Sequence, residues 1–171
     1  GPDSYYAWAM PTLAKTLLQE KRIRGNKLSR SAFSEFEEEF ILDESTLPCE
    51  TPRIAFRNIT NRTNRRTMIV AMVPPHIFIT NAAPYFLWPR GDELDEAYLL
   101  GVLSSIPLDW YARRFVEINM NFFILNPFPV PRPTRENPLW QRVVALAGRL
   151  GSPDHRYTKW AEKVGVSYGP L

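Results

Sequence analysis

An α+β fold follows from three features of the sequence: a small mixed or antiparallel sheet with packed helices and a helical C-terminus. Strand-like stretches concentrate mid-chain, at residues 53–57 and 67–73. Helical patterns with matched start and stop residues follow at residues 92–106 and again after residue 137. The 171 residues are 44% hydrophobic and 13% aromatic, enough for one domain with a real core.

Taken in order, residues 5–22 are apolar with a basic end. Pro11 argues against one continuous helix there, leaving a short helix at residues 12–21. Residues 21–30 are basic and polar and read as a loop, whereas residues 35–50 turn acidic around Phe33, Phe36, Phe40 and Ile41. Residues 53–57 alternate polar and apolar side chains, as a half-buried strand does. Residues 58–66 form a polar loop. Residues 67–73 are β-rich and almost continuously apolar, the pattern of a central strand. Residues 76–80 and 85–88 are two further strand candidates, so the expected sheet lies within residues 38–125.

Asp92 can cap the helix of residues 92–106, and Glu93, Asp95 and Glu96 complement the positive end of its dipole. Pro107 restarts the chain into a second helix at residues 108–116. Residues 121–125 read as a short buried strand. Pro127, Pro129, Pro131 and Pro133 then force an extended, polyproline-like stretch. Asn137 with Pro138 opens a helix that Gly151 stops, and Ser152 with Pro153 opens the last one.

The net charge is only +3. Five residues are lysine (Lys15, Lys21, Lys27, Lys159, Lys163) and every other base apart from histidine is arginine. Arginine offers a flat fork of donors suited to phosphates and guanine edges. Charge is also segregated. Between residues 51 and 91 the charged residues are Arg53, Arg57, Arg62, Arg65, Arg66 and Arg90, with no acid among them. The preceding stretch, residues 34–50, carries only acids. Such segregation creates a positive face despite a small net charge.

The sharpest local feature is the run RNITNRTNRRT at residues 57–67. Arg57, Arg62, Arg65 and Arg66 can reach phosphate or guanine, and Asn58, Asn61 and Asn64 can bond adenine bidentately. The competing reading is a solvated turn whose asparagines are turn formers. Arg113 and Arg114 offer a second phosphate contact, against a reading in which one is solvated and one pairs with Glu117. Asn121 is a further candidate DNA contact. Trp88 and Trp110 could stack on single-stranded bases but look more like core.

Catalytic patterns are missing. No glycine-rich turn follows a strand to hold a nucleotide-like cofactor. The run NPFP at residues 126–129 has the letters of an adenine-methylation loop in another order and reads as a structural turn. No acid stands two residues before any lysine, as a restriction-type nuclease requires. His76, which reads as a packed strand residue, His155 and Cys49 are too scattered for a zinc site. The lone cysteine excludes an internal disulfide, and no apolar run is long enough to span a membrane. A cytoplasmic location in a bacterium or archaeon is expected. Gly1 and Pro2 read as the scar of a protease site.

Three segments in order resemble a known family: RNITNRTNRRT at 57–67, YLLGVLSSI at 98–106 continuing into DWYARR at 109–114, and NFFILNPFPVPRP at 121–133. Together they are similar to the target-recognition (specificity) region of Eco57I-like, type IIG adenine-N6 DNA methyltransferases of restriction-modification and phage-defence systems. That family often has aspartate where this chain has Asn58, and glutamate where it has Arg65; both departures make the loop more basic. The resemblance implies a recognition core at residues 51–134, C-terminal helices at 135–171 and an N-terminal segment, 3–50, of unassigned structure. It implies double-stranded DNA and the parent's methyltransferase domain as partners. S-adenosylmethionine would bind the parent protein and no cofactor or metal this part, which would itself be non-catalytic. The alternative is a protein-interaction module in which residues 121–133 dock onto the catalytic domain without touching DNA.

Overall fold

The computed structural model describes residues 11–88 and 90–169. Residues 5–10 of the first apolar stretch, and Gly1 and Pro2, expected to be a protease scar, lie outside the described residues. Among those described there are seven α-helices, three short 3-10 turns and one two-stranded antiparallel sheet, a mixed α+β composition. The chain divides into two compact units, Gly1–Thr51 and Pro52–Leu171.

In the first unit, α1 (Pro11–Asn26) runs on through residues 21–26, where the sequence predicts a loop. Tertiary partners explain the extension. A second helix, α2 (Glu38–Leu42), ends with carbonyls that its own hydrogen-bond ladder cannot satisfy. Gln19 Nε2 donates to the Ile41 carbonyl at 2.9 Å, and Arg22 donates to the carbonyls of Ile41 (2.6 Å) and Asp43 (2.8 Å). Arg22, within the residues expected to form a loop, is thereby fully buried. Asn26 closes the same end of α1 on the carbonyls of Phe33 and Phe36.

In the second unit, β1 (Arg53–Phe56) pairs with β2 (Val70–Val73), with Ile54 opposite Met72 and Phe56 opposite Val70. The sheet is smaller than expected, and each shortfall has a local cause. Residues 67–69 do not join β2 because the amides of Thr67 and Met68 both donate to the side chain of Asp109. Residues 76–80 turn away after Pro74 and Pro75, with His76 exposed at φ 61°, so it is a turn residue and not a packed strand residue. Around Tyr85 only a single bridge to Ala55 forms, flanked by Phe56 N–H to the Pro84 carbonyl and Phe86 N–H to the Ile54 carbonyl. Pro84 has no N–H to extend that ladder. β1 is thus the strand bonded on both sides, and β2, expected to be central, pairs with β1 alone among the described residues. Residues 38–42 are helical, not part of the sheet.

The helices follow their capping signals. Asp92 caps α3 (Glu93–Leu103), with a reciprocal bond from the Asp92 amide to Asp95. Ser105 caps α4 (Ile106–Ala112), which is shorter than the expected 108–116 at its far end. Residues 121–125 are not a strand: Asn121 caps a single helical turn, α5 (Phe122–Leu125). A five-residue apolar run has no periodicity that separates the two. Asn137 caps α6 (Pro138–Gly151). The last helix does not open at Ser152 and Pro153 as expected: Asp154 caps a 3-10 turn at His155–Tyr157, and α7 (Thr158–Val164) follows it and ends at Gly165 with φ 78°. No strand or helix forms across residues 127–136.

Two packed clusters meet along α3. Ala97 and Leu100 join Ile54, Met72, Trp140, Val144, Tyr157 and Trp160 in one. Leu103 joins Phe56, Met68, Leu108, Val116, Met120 and Phe128 in the other. Gly101 lets α3 and α6 approach closely; a Cβ there would lie 2.6 Å from Val143 Cγ1. Among the described residues no helix is long and apolar enough to cross a membrane.

Within the first cluster Glu96 is only 5% exposed. Its Oε2 accepts from Trp160 Nε1 at 2.7 Å, and the Ile54 amide also donates to the carboxylate. Burial outweighs these bonds and raises its pKa to about 7 from 4.5. A raised carboxyl pKa means that the folded protein holds a proton the unfolded chain has released. The contribution of this protonated carboxyl to stability is therefore full below pH 4.5 and is lost as pH rises through about 7, an effect of about 3 kcal/mol. Glu96→Gln should flatten this part of the stability profile in urea titrations across neutral pH. An unchanged slope in the variant would assign the effect to another group.

Candidate nucleic-acid interface

The loop joining β1 to β2 carries most of the basic residues singled out by sequence, and its main chain is tied down at both ends. The Arg57 amide donates to the Ile69 carbonyl and the Asn58 amide to that of Ala82, each at 2.9 Å. The Asn58 carbonyl accepts from Met120 N–H at 2.7 Å, and Thr60 N–H donates to the Ile118 carbonyl at 2.9 Å.

Within the loop the asparagines and threonines bond to the turn itself. Asn61 Oδ1 accepts from the amide of Thr63 (3.0 Å) and from its hydroxyl (3.2 Å). Thr60 Oγ1 donates to the Thr67 carbonyl and accepts from Asn64 Nδ2, while Thr67 Oγ1 donates to the Asn61 carbonyl. A bidentate adenine contact needs both the oxygen and the nitrogen of one amide. In this geometry the oxygen of Asn61 and the nitrogen of Asn64 are engaged. Asn58 is half-buried, and the Asn121 side chain caps α5 through Ile124 N–H. Thr60, Asn61, Asn64 and Thr67 thus hold the loop's shape.

The strongest hold comes from α4. Asp109, 5% exposed, accepts the amides of Thr67 and Met68 on Oδ1, both at 2.8 Å. Its Oδ2 accepts from Arg113 Nε at 3.1 Å, and Arg66 Nε lies 3.5 Å from Oδ1. Burial alone would raise this carboxyl's pKa. The amides of Met68 and Thr67, with Arg113 and Arg66, outweigh it and hold the pKa below the ordinary value. Arg113 then reaches over the loop, donating to the carbonyls of Arg62 and Arg65 at 2.7 Å each. Arg66 reaches the other way, to the Ser104 carbonyl at 2.6 Å.

The six arginines of residues 51–91 therefore separate into two groups. Arg53 is buried, donating to the Ile77 carbonyl and lying over the Tyr85 ring, and Arg66 is pinned to the end of α3. Arg57, Arg62, Arg65 and Arg90 are exposed. Among the described residues the side chains of Arg57, Arg62 and Arg65 make no hydrogen bond or ion pair. Beyond α4, Glu117 pairs with neither neighbouring arginine: Arg113 pairs with Asp109, and Arg114 lies over the Trp110 ring, 4.4 Å from its centroid. Trp110, expected in the core, is exposed, whereas Trp88 packs against the first cluster.

Sequence reasoning misses Asp109 and assigns the exposed Trp110 to the core. The four-residue spacing of Asp109 and Arg113 on one helix is visible in the sequence, but their joint hold on a loop some fifty residues away is not. The aromatic of the NPFP run is also accounted for: Phe128 is buried edge-on against Tyr111, with centroids 5.3 Å apart. Among the described residues no group of three or more His, Cys, Asp or Glu side chains is placed to hold a metal ion.

Replacing Asp109 by alanine leaves two buried amides without an acceptor and removes the counter-charge of Arg113. It should cost about 3 kcal/mol in denaturant unfolding near neutral pH. Because the folded pKa is depressed below 3.8, Asp109's contribution is present above that value and lost as pH falls through the folded pKa. The alanine variant should thus show a flatter acid limb than the parent, and coincident acid limbs would refute this role. Compared with protein families, with characterised proteins and with solved structures, the chain matches none.

Proposed function

We propose that the chain recognises duplex DNA through the 57–66 loop, as the specificity region of a larger adenine-N6 DNA methyltransferase of restriction-modification or phage-defence type. One observation carries this reading: three exposed, unpaired guanidinium groups, those of Arg57, Arg62 and Arg65, stand on a loop whose main chain is held by Asp109 and Arg113. A loop fixed before binding loses little conformational entropy on meeting its ligand. Unpaired arginines gain by releasing counterions from phosphates. Register would come from these phosphate contacts, and sequence would be read in the groove by side chains not already bonded to the turn. In this reading S-adenosylmethionine binds, and adenine is methylated, in another domain of the parent protein.

A second reading is favoured by one other observation. Phe123 is 89% exposed, with Ile59 and Ile118 also exposed, and these could dock on the parent's catalytic domain.

The two readings separate by salt titration of binding to random duplex pools, followed by sequencing of the bound fraction. Replacing Arg62 and Arg65 together by alanine should weaken duplex binding and reduce the slope of log affinity against log salt by about 2. The fold should be retained, because both side chains point into solvent. Binding with an unaltered slope would argue against the loop as the contact. Loss of docking to the catalytic domain on Phe123→Ser, with no duplex binding by the parent chain, would favour the second reading.

A further inference from the structure

The short helix α4 presents three faces. Leu108 and Ala112 are buried in the core, and Asp109 with Arg113 faces the arginine loop. Ile106 and Trp110, one helical turn apart, form an outward ridge, 77% and 58% exposed. Arg114, just beyond the helix, covers part of the Trp110 ring.

The ridge lies beside the arginine loop. Arg66 bonds the carbonyls of Ser104 and Ser105 at the start of α4, and Arg113 holds the loop at its end. Isolated exposed apolar side chains are ordinary, but here the indole and the isoleucine stand together one turn apart on one face, beside a set of exposed cations. The flanking charge indicates what covers them: Arg57, Arg62, Arg65 and Arg114 are exposed and without acid partners among the described residues. An apolar protein surface would leave those charges without counter-charge. A nucleic acid supplies phosphates for the arginines and base faces for the indole and the isoleucine. Apolar wedges beside phosphate-binding bases part a base step in many DNA complexes.

We propose that Ile106 and Trp110 form a wedge that enters one base step of the bound duplex, with Arg114 bracing the indole against the neighbouring phosphate. The proposal rests on the DNA-recognition reading above and adds where the duplex is deformed. A wedge at this point would also lower the cost of drawing a nearby base out of the stack.

The test uses the full chain and two forms of a short duplex, one perfectly paired and one carrying a single mismatch, each with 2-aminopurine beside the step. The chain should bind the mismatched duplex about tenfold more tightly, since less stacking must be broken, and 2-aminopurine emission should rise on binding. Trp110→Ala should abolish that preference and the emission change, while keeping salt-dependent binding to the perfect duplex. Ile106→Ala, at a site equally free of core contacts, should reduce the preference and provides a second variant if the first folds poorly. Retention of the full preference in both variants, or no emission change with the parent chain, would overturn the wedge. Failure of the parent chain to bind either duplex would instead overturn the DNA-recognition reading, and the wedge with it.

Discussion

The carboxylate of Asp109 joins parts of the second unit that are distant in sequence. It accepts the amides of Thr67 and Met68 just before β2, so the strand starts at Val70 and the loop before it has a defined end. It orients Arg113, whose guanidinium in turn fixes two carbonyls of that loop. It also lies beside Arg66, which ties the loop to the junction of α3 and α4. A buried charge is stable only when its lone pairs are filled, and here two amides and two guanidiniums fill them. The shape of the loop, the short sheet and the placing of α4 all depend on that satisfaction.

The same use of side chains recurs elsewhere. Gln19 and Arg22 bond the last carbonyls of α2, Arg53 donates to the Ile77 carbonyl, and Arg135 joins Asp92 and Asp95 at the start of α3. A chain with so little regular sheet leaves many main-chain groups without ladder partners, and long polar side chains meet them. Arginine suits this work because its several donors can serve two carbonyls at once. Arginine content therefore overstates the charge available to a partner. Arg22, Arg53, Arg66 and Arg113 support the fold, and Arg57, Arg62 and Arg65 remain exposed and, among the described residues, unpaired.

Much of the helical framework is legible residue by residue. Asp92 and Asn137 are capping residues whose geometry acts locally, and the structure uses both. The position of the Arg53–Phe56 strand is legible too, but it is buried on both faces instead of alternating, because the Arg53 side chain donates to the Ile77 carbonyl. The strand candidates at 76–80, 85–88 and 121–125 were not decidable in this way. Their fate turned on prolines at the ends of runs, on a left-handed His76 and on the capping amide of Asn121, each competing with a short apolar run that fits helix or strand equally. In the candidate site, sequence located the basic loop and the Arg113–Arg114 pair. It could not sort the loop's amides from its free cations, because that depends on which groups the fold brings within hydrogen-bonding distance.

By itself the sequence determined the α+β composition, the starts of the helices capped by Asp92 and Asn137 and the one-sign charge of residues 51–91, since all three rest on local periodicity, capping and covalent order. Only the tertiary structure decided which arginines are exposed, that Asp109 anchors the loop, and that Trp110 faces outward instead of joining the core. The physical reason is the same in each case. A side chain's role depends on the desolvation and hydrogen bonds it meets from distant segments, and these exist only once the chain has folded.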